Sequence, residues 1–404
     1  MKYQTSHPWI SFALNLKRLP WEGWEMLGEC KSKCIHLAGE ILYPETATLL
    51  HTVFLSKGVL ATAAIEGNTL TEEQVKQIIN HTLKLPPSQE YLGEEIKNII
   101  EECNKIAQDI KDGKDRKLDS ENIMRMNAAI FNGLTVEDWV QPGKIRSRNV
   151  HVGRYLGAPY EDCTYLLQRL CEWLNTDKEL NRKDEFEIDF SILKAIIAHI
   201  YIAWIHPFGD GNGRTARLVE LQILMNVGIP GDAAHLFSNH YNQTRSKYYQ
   251  QLDQASKKQN EGIINFIMYA IQGFRDGLVQ QLEWIKDQQR IVAWENYVHR
   301  FFARDKSINS ERKKELVLDL TKSPEPLTLS KIKEISTRVA IAYKDLTHIT
   351  FLRDLTELIE AKLINKNDEL YSANKDLILA NLPIIKPKKQ INSSVQELFD
   401  KESE

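Results

Sequence analysis

His206-Pro207-Phe208-Gly209-Asp210-Gly211-Asn212-Gly213-Arg214-Thr215-Ala216-Arg217 is the stretch on which the reading of this chain turns. Upstream of it, Phe190–Ile205 is apolar on every face, which predicts a helix buried at a domain centre. Pro207 disfavours helical backbone in the residue before it, so that helix should end at His206 and leave an imidazole at the mouth of a packed core. Three glycines, Gly209, Gly211 and Gly213, permit a tight loop whose amides can converge on an anion. A second helix is expected from about Gly213, with its positive end aimed at the same spot. Arg214 and Arg217 stand three apart on it, one turn deep, both able to grip phosphate oxygens. Asp210 lies inside the loop, where a carboxylate beside phosphates suits Mg2+. The whole is an anion cradle with a proton acceptor at its rim.

Spacing tests other readings of the run. A P-loop requires a Lys-Ser/Thr pair after its second glycine, and none is present. A dinucleotide fingerprint follows a strand, whereas here a helix precedes and the third glycine is misplaced. An EF-hand loop starting at Asp210 would put Arg214 and Leu221 at ligand positions. A glycine-rich helix–helix turn with a chance histidine is the bland alternative that remains.

The run resembles the signature of the Fic family, H-x-F-x-[DE]-G-N-G-R-x-x-R, at every fixed position: His206, Phe208, Asp210, Gly211, Asn212, Gly213, Arg214 and Arg217. The resemblance extends from about residue 45 to 285 and takes in a hairpin before the motif and the pair Tyr248-Tyr249 after it. It implies a protein adenylyltransferase that moves AMP from ATP to a Ser, Thr or Tyr hydroxyl of a target protein, or of the chain itself. By that resemblance His206 is the general base, and Asp210 holds Mg2+ on the phosphates. Asn212, with the Gly211 and Gly213 amides, stabilises charge on the α-phosphate, while Arg214 and Arg217 bind the β- and γ-phosphates. Phe208 is a packing anchor for the loop, and Tyr248 lies where the family places a ring near the base, with a core role as its alternative. ATP is the default donor, although a few relatives use others.

A second match lies upstream. Thr62-Ala-Ala-Ile-Glu66-Gly67 fits the family's inhibitory motif [ST]-x-x-x-E-[GN]. A glutamate at a helix end that reached the cradle would pair with Arg217 and occupy the place of the γ-phosphate. The resemblance is to the subclass with its inhibitory helix N-terminal to the core; in some relatives the same glutamate also serves AMP removal. The alternating Val150-His151-Val152, turned by Gly153, predicts a β-hairpin over 148–160. As a flap it would register an extended target segment by strand addition.

The rest of the chain is expected to be all-α apart from that hairpin, because apolar residues recur mostly at three- and four-residue spacing. Helices are predicted at about 45–65, from the capping box Thr71–Gln74, at 90–111, 162–174, 213–227, 241–256 and 261–290. Trp9, Phe12, Trp21 and Trp24 mark residues 1–40 as a docking segment. The expected organisation is an N-terminal helical segment (1–110), a catalytic core (111–300), a winged-helix-like domain (305–385) and a polar tail (386–404). In the third of these, Thr347–Ala361 is the candidate recognition helix, with Leu363-Ile364 and Glu369–Tyr371 as wing strands. Residues 305–404 hold 17 Lys+Arg against 17 Asp+Glu, and Asp354, Glu357 and Glu360 accompany Arg353 on that helix. A phosphate-lined groove is poorly served by such a surface, so protein docking or homodimerisation is preferred to DNA binding.

With 404 residues, 42% hydrophobic and 26% charged, the chain has the composition of a globular protein, and a net charge of −3 gives no global field for nucleic acid or anionic lipid. Five cysteines (30, 34, 103, 163, 171) show no zinc spacing and are read as reduced thiols. The apolar run 192–205 is too short for a bilayer and contains Lys194 and His199, and no signal peptide is seen. The expectation is a cytoplasmic protein with no membrane association.

Overall fold

The computed structural model describes residues 1–114, 117–153 and 155–379 and divides into two compact units, the second beginning at Ile285. The first unit is helical: α1 (Tyr3–Ser6), α2 (Trp21–Gly39), α3 (Pro44–Ala64), α4 (Glu72–Ile79), α5 (Glu90–Lys111), α6 (Ser120–Ile130), α7 (Tyr160–Thr176), α8 (Glu187–Ile205), α9 (Asn212–Asn226), α10 (Gly231–Ala234), α11 (Leu236–Gln243), α12 (Arg245–Lys257) and the part of α13 (Gln259–Phe302) up to Trp284. Two short strands, β1 (His151–Val152) and β2 (Tyr155–Leu156), pair antiparallel with His151 opposite Leu156 and Val152 opposite Tyr155. The helical expectation and the hairpin both hold.

Helix α8 is the axis of this unit. Fifteen of its nineteen residues are buried, and it packs along α9, with α2 and α7 on its flanks. Helices α3 and α8 are long and apolar enough to cross a membrane, α8 being longer than the run 192–205 suggested. In α8, however, the apolar surface is consumed by the core, which 83% of its most apolar window faces. Helix α3 starts with Pro44 at its first turn, where a missing N–H costs nothing. It lies against α5, α10 and α11 and reaches α9. The capping box at Thr71 is formed: Gln74 N–H donates to Thr71 Oγ1, and Thr71 N–H to Gln74 Oε1 at 2.8 Å.

Three expectations change. The division expected at residue 110 does not appear, because residues 1–110 belong to the same unit as the motif, with α2 burying Met26, Leu27, Cys30, Cys34 and Leu37. The helix expected at 241–256 is broken at Thr244, whose hydroxyl turns back to His240 O at 2.7 Å. Helix α13 runs on to Phe302, and the units divide between Trp284 and Ile285 rather than near 300–310.

The second unit holds α14 (Ile308–Lys322), α15 (Leu329–Lys333), α16 (Thr337–Tyr343), α17 (His348–Glu360) and a three-stranded antiparallel sheet. The sheet runs in the order β3 (Leu327–Thr328), β5 (Leu370–Ala373), β4 (Ile364–Asn367). Trp294, Leu316, Ile332, Phe351 and Leu358 are among the side chains of its own core. Asp354, expected on the surface of α17, is buried instead, bonded by Arg312 at 2.6 Å and by Tyr343 Oη at 3.1 Å. A carboxylate taken out of water needs such partners, which is why it faces inward. The tail expected at 386–404 lies outside the described residues.

Candidate active site

Helix α8 ends with His206 in the left-handed region (φ 51°, ψ 57°), its N–H still donating to Ile202 O at 2.9 Å. This conformation costs a non-glycine residue about 1 kcal/mol or more, so the surroundings must enforce it. Arg146 does so. Its guanidinium is buried and spent on carbonyls: Nε to His206 O at 2.7 Å, Nη1 to Arg148 O at 2.6 Å, and Nη2 to Ala158 O. Its own N–H donates to Pro207 O at 3.0 Å, beside a β-bridge between Ile145 and Phe208. The hairpin stem and the loop after α8 are thus stitched together. Gly157 is required there, since a Cβ would lie 2.9 Å from His206 Cβ.

The His206 ring is poised as a proton acceptor. Nδ1 faces Ala203 O at 3.4 Å, and only a protonated nitrogen can address a carbonyl, so Nε2 carries the lone pair. Burial, aided by the nearby Arg146 charge, pushes the imidazole down to about 4 against the opposite pull of Ala203 O, Glu66 and Asp210. The ring is therefore neutral at physiological pH.

Beyond His206 the loop is self-clasped. Asn212 Oδ1 accepts from Phe208 N and Asn212 Nδ2 donates to Phe208 O, both at 2.9 Å, and the Phe208 ring is fully buried. Asn127 of α6 donates to Asp210 O at 3.0 Å and to Thr215 Oγ1 at 3.2 Å, and accepts from Gly143 N at 2.9 Å. Gly211 has φ 76° and backs onto Phe131, 2.7 Å from where a Cβ would stand. Asp210 is half-exposed; Oδ1 accepts from Gly211 N at 2.5 Å and from Arg214 Nη2 at 3.1 Å.

His206, Asp210, Gly209 and Gly211–Gly213 line a cavity of about 550 Å³. Its other wall is the hairpin stem, with Val150, His151 and Val152, and Arg148 stacked on Trp139 at 3.6 Å. Gly153 (φ 57°) makes the hairpin turn and does not line the cavity. Phe208, Arg214, Arg217 and Tyr248 are likewise absent from the lining and lie behind it. Tyr248 is buried in an aromatic cluster with Tyr241 and bonded to His199 Nε2 at 2.8 Å, whereas its neighbour Tyr249 reaches Ile65 O at 3.3 Å.

Both arginines are buried and each meets a carboxylate. Arg217 Nη2 donates to Glu66 Oε1 at 2.6 Å and to Thr62 O at 2.9 Å. Arg214 Nη1 pairs with Glu95 of α5, and its guanidinium lies 4.9 Å over the Phe131 ring. Among the described residues, Arg217 Nε and Nη1 and Arg214 Nε have no acceptor. Glu66 sits in the cradle itself, for a Cβ on Gly213 would be 2.2 Å from Glu66 Oε1. Burial opposes its ionisation, but the charge and hydrogen bond of Arg217, with Arg214 and His206 adding, hold its carboxyl below the usual range. Arg146, Asn127, Phe131 and Glu95 were not singled out by the sequence.

Residues 117–224 match the model described as the Fic/DOC family. The chain is 30% identical over 203 residues to the protein adenylyltransferase fic-1 of Caenorhabditis elegans, covering 49% of this chain and 36% of that protein. It is 27% identical over 205 residues to the protein adenylyltransferase Fic of Nematostella vectensis, covering 50% of this chain and 44% of that protein. The chain thus spans less than half the length of these relatives. A Fic family protein from Desulfovibrio desulfuricans G20 superposes with a TM-score of 0.53 at 19% identity, over 87% of this chain and 95% of that one. Fic-1 (residues 134–508) of C. elegans gives 0.53 at 23%, over 66% and 73%. The helical fold is shared with both, and the similarity to the Fic/DOC family model lies in residues 117–224 of this chain.

Proposed function

We propose that this chain is a protein adenylyltransferase, transferring AMP from ATP to a hydroxyl of a protein, and that Glu66 restrains it. The observation that carries the reading is the convergence on one cavity of the His206 acceptor nitrogen, the Asp210 carboxylate and the N-terminus of α9. Helix α9 presents its first amides, which have no intrahelical acceptor, to an anion in the cavity. The unpaired N–H groups of Arg217 and Arg214 behind Gly213 add buried donors that a polyphosphate would satisfy. Asp210 fits Mg2+, which commonly takes one or two carboxylates and completes its shell with phosphate and water. Asp210 and Glu66 are the acidic residues lining the cavity, and Glu66 is held by Arg217. Bound there, the cation would neutralise phosphate charge.

The chain's own residues would then act as follows. His206 Nε2 takes the proton of a Ser, Thr or Tyr hydroxyl; that oxygen attacks the α-phosphorus, and the bond to pyrophosphate breaks, the electron pair leaving with it. Asn212, whose carboxamide is spent on Phe208, shapes the loop, and charge at the α-phosphate falls to backbone amides. Glu66 on Arg217 excludes the γ-phosphate from that arginine. The exposed edge beside Val152 would accept an extended target segment.

The order of helices and strands in the second unit supports a winged-helix-like reading, and its balanced charge supports a protein-docking role in preference to DNA. Mass spectrometry of the chain incubated with ATP and Mg2+ tests the main reading. An added AMP is expected on Glu66→Gly, weakly on the native chain, and not on His206→Ala. Equal labelling of all three would exclude His206 from the reaction.

A further inference from the structure

Chain leaving α3 passes Glu66, turns at Gly67 (φ 107°) and buries Asn68. Both N–H groups and the oxygen of the Asn68 carboxamide are engaged. Oδ1 accepts from Leu70 N at 3.1 Å, and Nδ2 donates to Leu92 O at 3.1 Å and to Glu95 Oε2 at 2.8 Å. The other oxygen of Glu95 takes Arg214 Nη1, and Arg214 Nη2 reaches Asp210. The two arginines of α9 therefore lead back by separate routes to one turn. Arg217 goes directly to Glu66; Arg214 goes through Glu95 to Asn68. One residue, Gly67, separates the ends of these routes.

Resting on the reading of Glu66 as a restraint on ATP, we propose that Asn68 is its positioning residue: it fixes the turn to α5 and so keeps the Glu66 carboxylate on Arg217. Glu66 lies beyond the last residue of α3, and its N–H donates to Ala63 O at 3.0 Å. A side chain so placed keeps one orientation only if the following turn is fixed. Backbone bonds close the turn locally, Gly67 N–H to Ala64 O at 3.0 Å and Asn68 N–H to Ala63 O at 3.2 Å, but Gly67 has no side chain with which to tie the turn to another element. Asn68 has one, and it bonds to its own turn and to α5 at once. It touches neither the cavity nor His206, so removing it should loosen the restraint while leaving the transfer machinery in place.

The test uses the full chain, measuring AMP incorporated with ATP and Mg2+, and ATP affinity in a His206→Ala background where no transfer occurs. Asn68→Ala is expected to raise incorporation about tenfold, the scale of one or two lost hydrogen bonds, and to tighten ATP binding in parallel. Asn68→Asp, equal in size but setting a carboxylate against Glu95, should do the same and serves if the alanine variant fails to fold. In a Glu66→Gly background either substitution should change incorporation by less than about twofold, because there is no restraint left to position. A purely structural role predicts a fall in both backgrounds. Native-level incorporation in both Asn68 variants, or an equal gain with and without Glu66, overturns the proposal while Glu66→Gly still labels. If Glu66→Gly neither labels nor binds ATP, the underlying reading fails and takes the proposal with it.

Discussion

At His206 the backbone pays for chemistry. Its left-handed conformation is held by Arg146, through a planar fork that reaches carbonyls on both the loop and the hairpin, while its own ring turns Nδ1 toward Ala203 O. Lysine cannot reproduce that fork. Arg146→Lys is therefore expected to lower AMP transfer by about a hundredfold, the scale of a small misplacement of a catalytic group, with ATP affinity much less affected. Steady-state kinetics on the Glu66→Gly form would check this, and an unchanged kcat would remove Arg146 from its role. The ring itself sets the pH dependence. A base whose conjugate acid is pushed down to about 4 stays neutral through the range in which an ordinary histidine would charge. Transfer by Glu66→Gly should hold between pH 7 and about 5 and fall as pH drops through about 4. A midpoint near 6.5 would show that His206 is solvated like a free imidazole.

Among the elements, α3 couples the restraint to the fold. It lies on the imidazole of His235 with only a glycine between, since a Cβ on Gly58 would be 2.3 Å from the ring. Gly58→Ala should push α3 away from α10 and α11 and draw Glu66 off Arg217. The expected outcome is a loss of about 1–3 kcal/mol in a urea melt together with raised AMP labelling; a loss of stability without a rise would mean that the end of α3 is held independently of its middle. Much of this element was legible. A helix was expected at about 45–65 and α3 runs Pro44–Ala64, with Pro44 opening it and Gly67 turning the chain after it, so local turn chemistry marks both ends. Helix α2 was not, because Trp21 and Trp24 drew the reading toward docking while Trp21 is 70% exposed. The cradle was legible for the same reason as α3: glycines, an N-terminus and charges lie within twelve residues of chain. Glu95 and Arg146 were not, because each takes its meaning from a partner 119 or 60 positions away, and no local spacing records such a pairing.

Acid is expected to act on the molecule as a whole through its buried imidazoles. His235 is buried under Gly58, and burial pushes it down to about 4 despite the nearby Asp232 carboxylate. His240 of α11, also at about 4 and chiefly through burial, lies against Gly273, where a Cβ would meet the ring at 2.0 Å. Together with His206 these groups are neutral in the folded chain but charge near 6.5 once unfolded. The unfolded state then binds more protons, so stability is complete above about pH 6.5 and drains away as pH falls toward 4. For the well-buried His235, the drop from 6.5 to about 4 corresponds to about 3 kcal/mol at the limit. Glu66, whose carboxyl Arg217 holds below its usual range, adds a loss of the same sign at lower pH. The melting temperature should therefore fall steeply between pH 6.5 and 4.5, ahead of the carboxylates. His235→Gln should start from a lower melting temperature at pH 7, because a buried ring is lost, yet show a shallower slope across that window. Thermal melts at matched ionic strength decide it: parallel curves for the native chain and His235→Gln would mean that the imidazole is not what titrates.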